Sequence, residues 1–127
     1  MTNKLKTAIH PIVRDEVDRI KEQHGRKYNS DHEAYAVLSE EVEEAQEELR
    51  LVWRRLAHVW NNRIRQDLRP GDNDLTFISA RAVALAAEAI QIAAVARKWK
   101  DGNREDGVGD ETDRWYYERI IREEFGE

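Results

Sequence analysis

The stretch VLSEEVEEAQEELRLVWRRLAHV, Val37 to Val59, decides the fold. Leu38, Val42, Ala45, Leu49, Val52, Leu56 and Val59 recur at alternating steps of four and three. That is the spacing of one apolar face of an α-helix, laid against another helix along a bundle seam. Six glutamates fall between Glu40 and Glu48 on the same helix. Like charges at i,i+3 and i,i+4 repel, so these carboxylates need water, arginines or a cation. At 100° per residue, Glu40, Glu43 and Glu47 lie roughly opposite the seam, with Arg50 near enough to offset some of their charge. Glu41 lies about 50° from the seam centre, Glu48 about 70° and Glu44 roughly 110°, on the border of the core.

The rest of the chain divides around this helix. Ser30, with Glu33 three residues on, has the pattern of a capping box and opens the helix at Asp31. The periodicity carries it to about Leu68, roughly 55 Å at about 1.5 Å per residue. A domain of this size does not comfortably enclose that length. We therefore expect a kink, a break near HVWNNRIRQ, or a protruding end covered by a second subunit. Upstream, Val13, Val17 and Ile20 mark a first helix from about Ile9 to His24, with Pro11 in its first turn and Gly25 as its stop. Downstream, RPGDND is strong punctuation, and Asp72 or Asp74 caps a third helix from about Leu75 to Trp99, with Gly102 as its C-cap. Residues 103–112 read as a flexible loop. Asp110 or Thr112 then opens a short fourth helix with Trp115, Tyr116, Ile120 and Ile121 on its apolar side. Strands have little support, and the expected class is all-α, about four helices in one domain spanning 1–127.

Composition narrows the function. Hydrophobic residues make up 40% and charged residues 37% of the 127, which suits a compact helical protein rather than a disordered one. The net charge of -5 provides no basic footprint for a nucleic-acid polymer. Cysteine is absent, which excludes disulfides and thiolate zinc sites and fits a reducing compartment. The N-terminus lacks a signal-peptide apolar region, and the most apolar run holds Glu88 and Gln91 at its centre, against a membrane span. The expected setting is soluble and cytoplasmic.

That apolar run, FISARAVALAAEAIQIAAVA from Phe77 to Ala96, is hydrophobic nearly all round, so burial on most sides is expected. A carboxylate there costs several kcal/mol, on the order of 3–5, unless it is paired or metal-bound. Glu88 therefore needs a partner. An arginine (Arg54, Arg55 or Arg63) is one candidate. A divalent cation shared with Glu41 and Glu44 is the other, since carboxylates spaced i,i+3 on facing helices make an oxygen-rich site suited to magnesium.

EEVEE, Glu40 to Glu44, followed downstream by EAIQ, Glu88 to Gln91, resembles the EExxE…ExxD signature of the MazG-like, all-α nucleoside triphosphate pyrophosphohydrolases. HGRKYNSDHEAYAVLSEEVEEAQEEL and AAEAIQIAAVARKW look like small MazG-like proteins of phage and prophage genomes, over most of Gln23 to Lys98. The resemblance implies an antiparallel helical bundle that assembles as a homodimer or homotetramer. It implies magnesium-dependent hydrolysis of (deoxy)nucleoside triphosphates to monophosphate and pyrophosphate, with manganese as the alternative ion. Glu41, Glu44, Glu88 and Gln91 take the ligand positions, and Glu40 takes the leading glutamate of the motif. Gln91 departs from the family's aspartate: an amide coordinates through oxygen but adds no charge and is no base. The gap between Glu44 and Glu88 is also longer than is common in the family. Glu47 or Glu48 are the candidates to compensate.

In such an enzyme Glu40 or Glu44 orients the attacking water or accepts its proton. Arg81, Arg97 and Lys98 are candidates for phosphate contacts, against ordinary roles as helix cations. Trp53, with Trp60, Tyr35 and Trp99, offers a flat wall for a base, although helical aromatics more often serve a core. The four histidines have no metal-ligand spacing. Two other functions compete: a MazG-like nucleotide-binding or regulatory protein without turnover, marked by Gln91, and a helical interaction module whose glutamates form a solvated surface.

Overall fold

The computed structural model describes residues 3–102; the expected loop at 103–112 and the fourth helix lie outside the described residues. Three long helices account for most of the described chain: α1 (Asn3–His24), α2 (Asp31–Asn62) and α3 (Asp72–Gly102). No strand occurs among the described residues. The chain is all-α to this extent.

Helix α1 starts six residues earlier than Ile9, so Pro11 sits in its interior. Residues 3–10 contain lysine, leucine and alanine, which favour helix, and Ile9 packs on the core one turn before Val13. Pro11 removes one backbone hydrogen bond and leaves the rest of the helix intact. Gly25 ends the helix at φ 91°, its amide donating to the Lys21 carbonyl at 2.8 Å. Ser30 caps α2 as expected: its hydroxyl accepts from the Glu33 amide at 3.1 Å. The reciprocal contact falls one residue early, with the Asn29 amide side chain donating to Glu33 at 3.0 Å.

The break expected near HVWNNRIRQ is present. Helix α2 stops at Asn62, and a 3-10 turn follows over Ile64–Gln66. Asp67 then turns the chain in the left-handed region at φ 59°, and the Leu68 amide donates back to the Arg63 carbonyl at 2.9 Å.

The described residues form two compact units, one of 3–38 with 90–102 and one of Ser39–Ala89. The first holds a core of Val13, Val17, Ile20, Ala94 and Val95, with Tyr28, Val37, Leu38 and Ile90 packed around it. It also buries charge. Lys21 donates to Asp101 at 2.9 Å, and Asp101 is 1% exposed. Lys98 is 2% exposed, its ammonium 4.0 Å from the centre of the Tyr28 ring. Gly102 permits a close approach, because a Cβ there would lie 2.8 Å from Lys27 Cβ.

The second unit is built differently. Val59 is its one buried apolar side chain. Along this part of α2 the shielded positions include Glu41, Ala45, Glu48, Leu51, Val52, Arg55 and Val59, whereas Val42, Leu49 and Leu56 are exposed. The inward stripe is thus turned about 40° from the seam drawn through the apolar residues, towards the glutamates. The expectation that α3 is buried on most sides is also corrected: Val83 is 69% exposed, and Ala82, Ala86 and Ala89 are open. Within one chain α3 buries one side of this segment, and its remaining apolar surface stays uncovered.

Candidate metal centre

The turn of the inward stripe sets the site. Glu41 and Glu44 stand one turn apart on α2, and Glu88 projects from α3 in the same unit. One carboxylate oxygen from each of Glu41, Glu44 and Glu88 lies within 4.8 Å of the others. Glu41 and Glu88 are half-buried, and Glu44 is exposed, so the cluster opens to solvent on the Glu44 side.

No ion pair joins Glu44 or Glu88 to an arginine or lysine among the described residues. The arginine alternatives for Glu88 go elsewhere or stay apart: Arg55 pairs with Asp74 at 3.1 Å, and Arg54 and Arg63 are exposed. Glu88 Oε2 is buried with no hydrogen-bond partner. The electrostatics follow. Hydrogen bonding to Glu88, and the charge of Glu88, hold the Glu44 carboxyl above the ordinary carboxylate range, with burial and Glu40 adding to the effect. Burial first, then the proximity of Glu41 and Glu48, pushes Glu88 up, while the hydrogen bond from Glu44 opposes this. Two carboxyls so placed are harder to ionise together than singly where a cation is lacking.

The donor set therefore fits a hard divalent ion: three carboxylates, one with an orphaned buried oxygen, and one open side for water or phosphate. Glu40 is exposed beside the cluster and close enough to act on the titration of Glu44. Glu48, one turn along, is engaged by Arg81 at 3.2 Å. Arg81 also lies 5.9 Å from the Phe77 ring centre, over which Arg55 sits at 4.1 Å. Arg81 is thus held next to the carboxylates by Glu48. Glu47 pairs with Arg50 at 2.8 Å on the exposed side.

The remaining sequence candidates have other surroundings. The Gln91 amide nitrogen donates to Glu16 of α1, in the first unit. Glu16 also binds Arg19, which chiefly holds its carboxyl below the usual range, with Gln91 contributing. Arg97 and Lys98 are buried in the first unit, and burial lowers the Lys98 pKa. Trp53 is 63% exposed and lies on the side of α2 roughly opposite Glu44. Trp99 donates its indole N–H to Asp31 at 2.8 Å. The sequence reading missed Glu16 as the partner of Gln91, since 75 residues separate them and no local pattern links them.

Comparison with protein-family models, with curated proteins and with solved structures finds no match for this chain.

Proposed function

We propose that this chain is a MazG-like, magnesium-dependent nucleoside triphosphate pyrophosphohydrolase, cleaving (deoxy)nucleoside triphosphates to monophosphate and pyrophosphate. The convergence of Glu41, Glu44 and Glu88, with no ion pair to Glu44 or Glu88 among the described residues, carries this reading, because such a cluster is stabilised by a divalent cation. The EEVEE and EAIQ motifs support it, as does the all-α fold. Glu41, Glu44 and Glu88 would hold magnesium, or manganese in its place. The bound ion offsets phosphate charge and acidifies water. Glu40 or Glu44 orients the water and takes its proton while its oxygen joins phosphorus and the bond to the pyrophosphate group breaks. Arg81, kept near by Glu48, is the phosphate-contact candidate closest to this chemistry. The same reading places the chain in the cytoplasm as an antiparallel bundle, a homodimer or homotetramer acting on free nucleotides, with no membrane or nucleic-acid polymer as partner.

One observation favours a second reading. The Gln91 amide is engaged by Glu16, and an amide supplies neither charge nor a base. A nucleotide-binding protein without turnover would keep the carboxylates and lack the last acidic group. A panel of nucleoside triphosphates with magnesium, monitored for pyrophosphate, separates the two. Release that disappears in Glu41→Gln and Glu88→Gln supports the enzyme. No release from any nucleotide, with a magnesium-dependent rise in Tm that Glu88→Gln removes, supports binding alone. With neither response, the glutamates are only a solvated surface.

A further inference from the structure

Of Arg81, Arg97 and Lys98, only Arg81 lies in the unit that holds Glu41, Glu44 and Glu88. It is loosely held there. One nitrogen, Nη1, donates to Glu48 Oε1 at 3.3 Å and lies 3.2 Å from Oε2. A two-nitrogen fork on the carboxylate would be shorter and stronger. Phe77 holds the guanidinium no better, because 5.9 Å from the ring centre is near the limit of a cation–π contact. Arg55 has the close place, at 4.1 Å. The Arg81 side chain is 35% exposed, so it can turn outward. A phosphate offers arginine paired oxygens and more charge than one carboxylate, and competes well for it.

Glu48 has its own unmet demand. It lies seven residues from Glu41, within about 20° of it around α2, and one turn beyond Glu44. Its charge also acts on the ionisation of Glu88, which places it near the α3 carboxylate. Glu48 Oε2 is buried with no hydrogen-bond partner, as is Glu88 Oε2. Arg81 therefore satisfies only half of the Glu48 carboxylate, and buried oxygens of this kind normally find a donor or an ion. Gln91 adds no charge, and its amide nitrogen is engaged by Glu16. That leaves the acidic set one group short.

We propose that Arg81 and Glu48 form an exchange pair: a phosphate group draws Arg81 off Glu48, and the released carboxylate turns to the cation site of Glu41, Glu44 and Glu88. The exchange rests on the reading of those three glutamates as a divalent-cation site. While Arg81 stays on Glu48, the fourth carboxylate is kept out. An occupied phosphate position then tightens the hold on the ion, and by linkage the ion tightens the hold on phosphate by the same factor.

Manganese alone is the probe, with the free ion counted by electron paramagnetic resonance and no nucleotide present. Arg81→Gln mimics withdrawal of the guanidinium and should tighten manganese binding about tenfold. Glu48→Gln should weaken binding about tenfold in the Arg81→Gln chain, but less than about threefold where Arg81 is kept. Should Arg81→Gln lose its helicity by circular dichroism, Arg81→Met, an apolar chain of similar length, gives the same comparison. Equal effects of Glu48→Gln in both backgrounds would mean that Arg81 acts by charge alone, and would overturn the exchange. If Glu88→Gln still abolishes manganese binding in that case, the cation site stands without the exchange. No manganese binding to any of these chains overturns both.

Discussion

At Glu88 a single side chain shows how the apolar pattern of a helix implies chemistry. Ionised and without a counter-charge, it raises the free energy of the folded state; neutral, it does not. Its pKa and that of Glu44 lie above the ordinary glutamate value of 4.5 in the fold. Stability from these two is therefore present in acid and is lost as pH rises through their folded pKa values. Glu16 has the opposite sign: its lowered pKa gives stability that disappears as pH falls below that ordinary value. In EDTA, Tm should rise as pH is lowered through the folded pKa values of Glu44 and Glu88 towards 4.5 and fall at lower pH, and Glu88→Gln should flatten the first limb; scanning calorimetry measures both. If the cluster holds magnesium as proposed, the ion competes with protons there, so its effect on Tm should be larger at pH 8 than at pH 5. The buried pair Lys21–Asp101 tests a different cost. Lys21→Met leaves Asp101 charged and nearly inaccessible, and should lower stability by about 3 kcal/mol in urea unfolding, with much of the loss recovered in Lys21→Met/Asp101→Leu. The need for a partner at Glu88 was legible because nearly every neighbour on its helix is apolar, Gln91 excepted. The pairings Gln91–Glu16 and Lys21–Asp101 were not, since they join residues 75 and 80 positions apart and neither has a local signature.

Among the elements, the punctuation was the most readable part. Ser30, Gly25 and the RPGDND stretch act within a few residues, so their chemistry fixes a boundary without knowledge of the tertiary fold. Ser30→Ala removes the cap on the Glu33 amide and should cost about 1 kcal/mol, seen as a lower urea midpoint with unchanged m-value. The start of α1 was less legible, because Pro11 suggests a first turn and only the contact of Ile9 with the core shows that the helix continues before it. The inward face of α2 was harder still. Periodicity gives the line of apolar residues, but a helix with apolar positions on two adjacent sides has two candidate seams. The chain half-buries Ala45 and Val52, buries Val59 and leaves Val42, Leu49 and Leu56 outside. That choice brings Glu41 and Glu48 to the inner stripe, and it is what joins Glu41 and Glu44 to Glu88.

Among the described residues, most buried apolar side chains lie in one unit and the candidate chemistry in the other. Val13, Val17, Ile20, Ala94 and Val95 make the first unit's core, while Ser39–Ala89 carries the three convergent carboxylates with Val59 as its buried apolar residue. The expectation of one domain came from length, and length says nothing about how burial is distributed along two long helices. The open placement of Trp53 and Trp60 has an optical consequence. Their indoles meet water, so a dilute sample should emit at long wavelength and be quenched readily by acrylamide. If copies of the chain associate over these indoles, emission should shift to the blue and quenching should decline as concentration rises, and Trp53→Phe/Trp60→Phe should abolish both changes. The two indoles would thus report any covering of this side of α2, away from Glu44, without a label and while nucleotide or metal is added to the same cuvette.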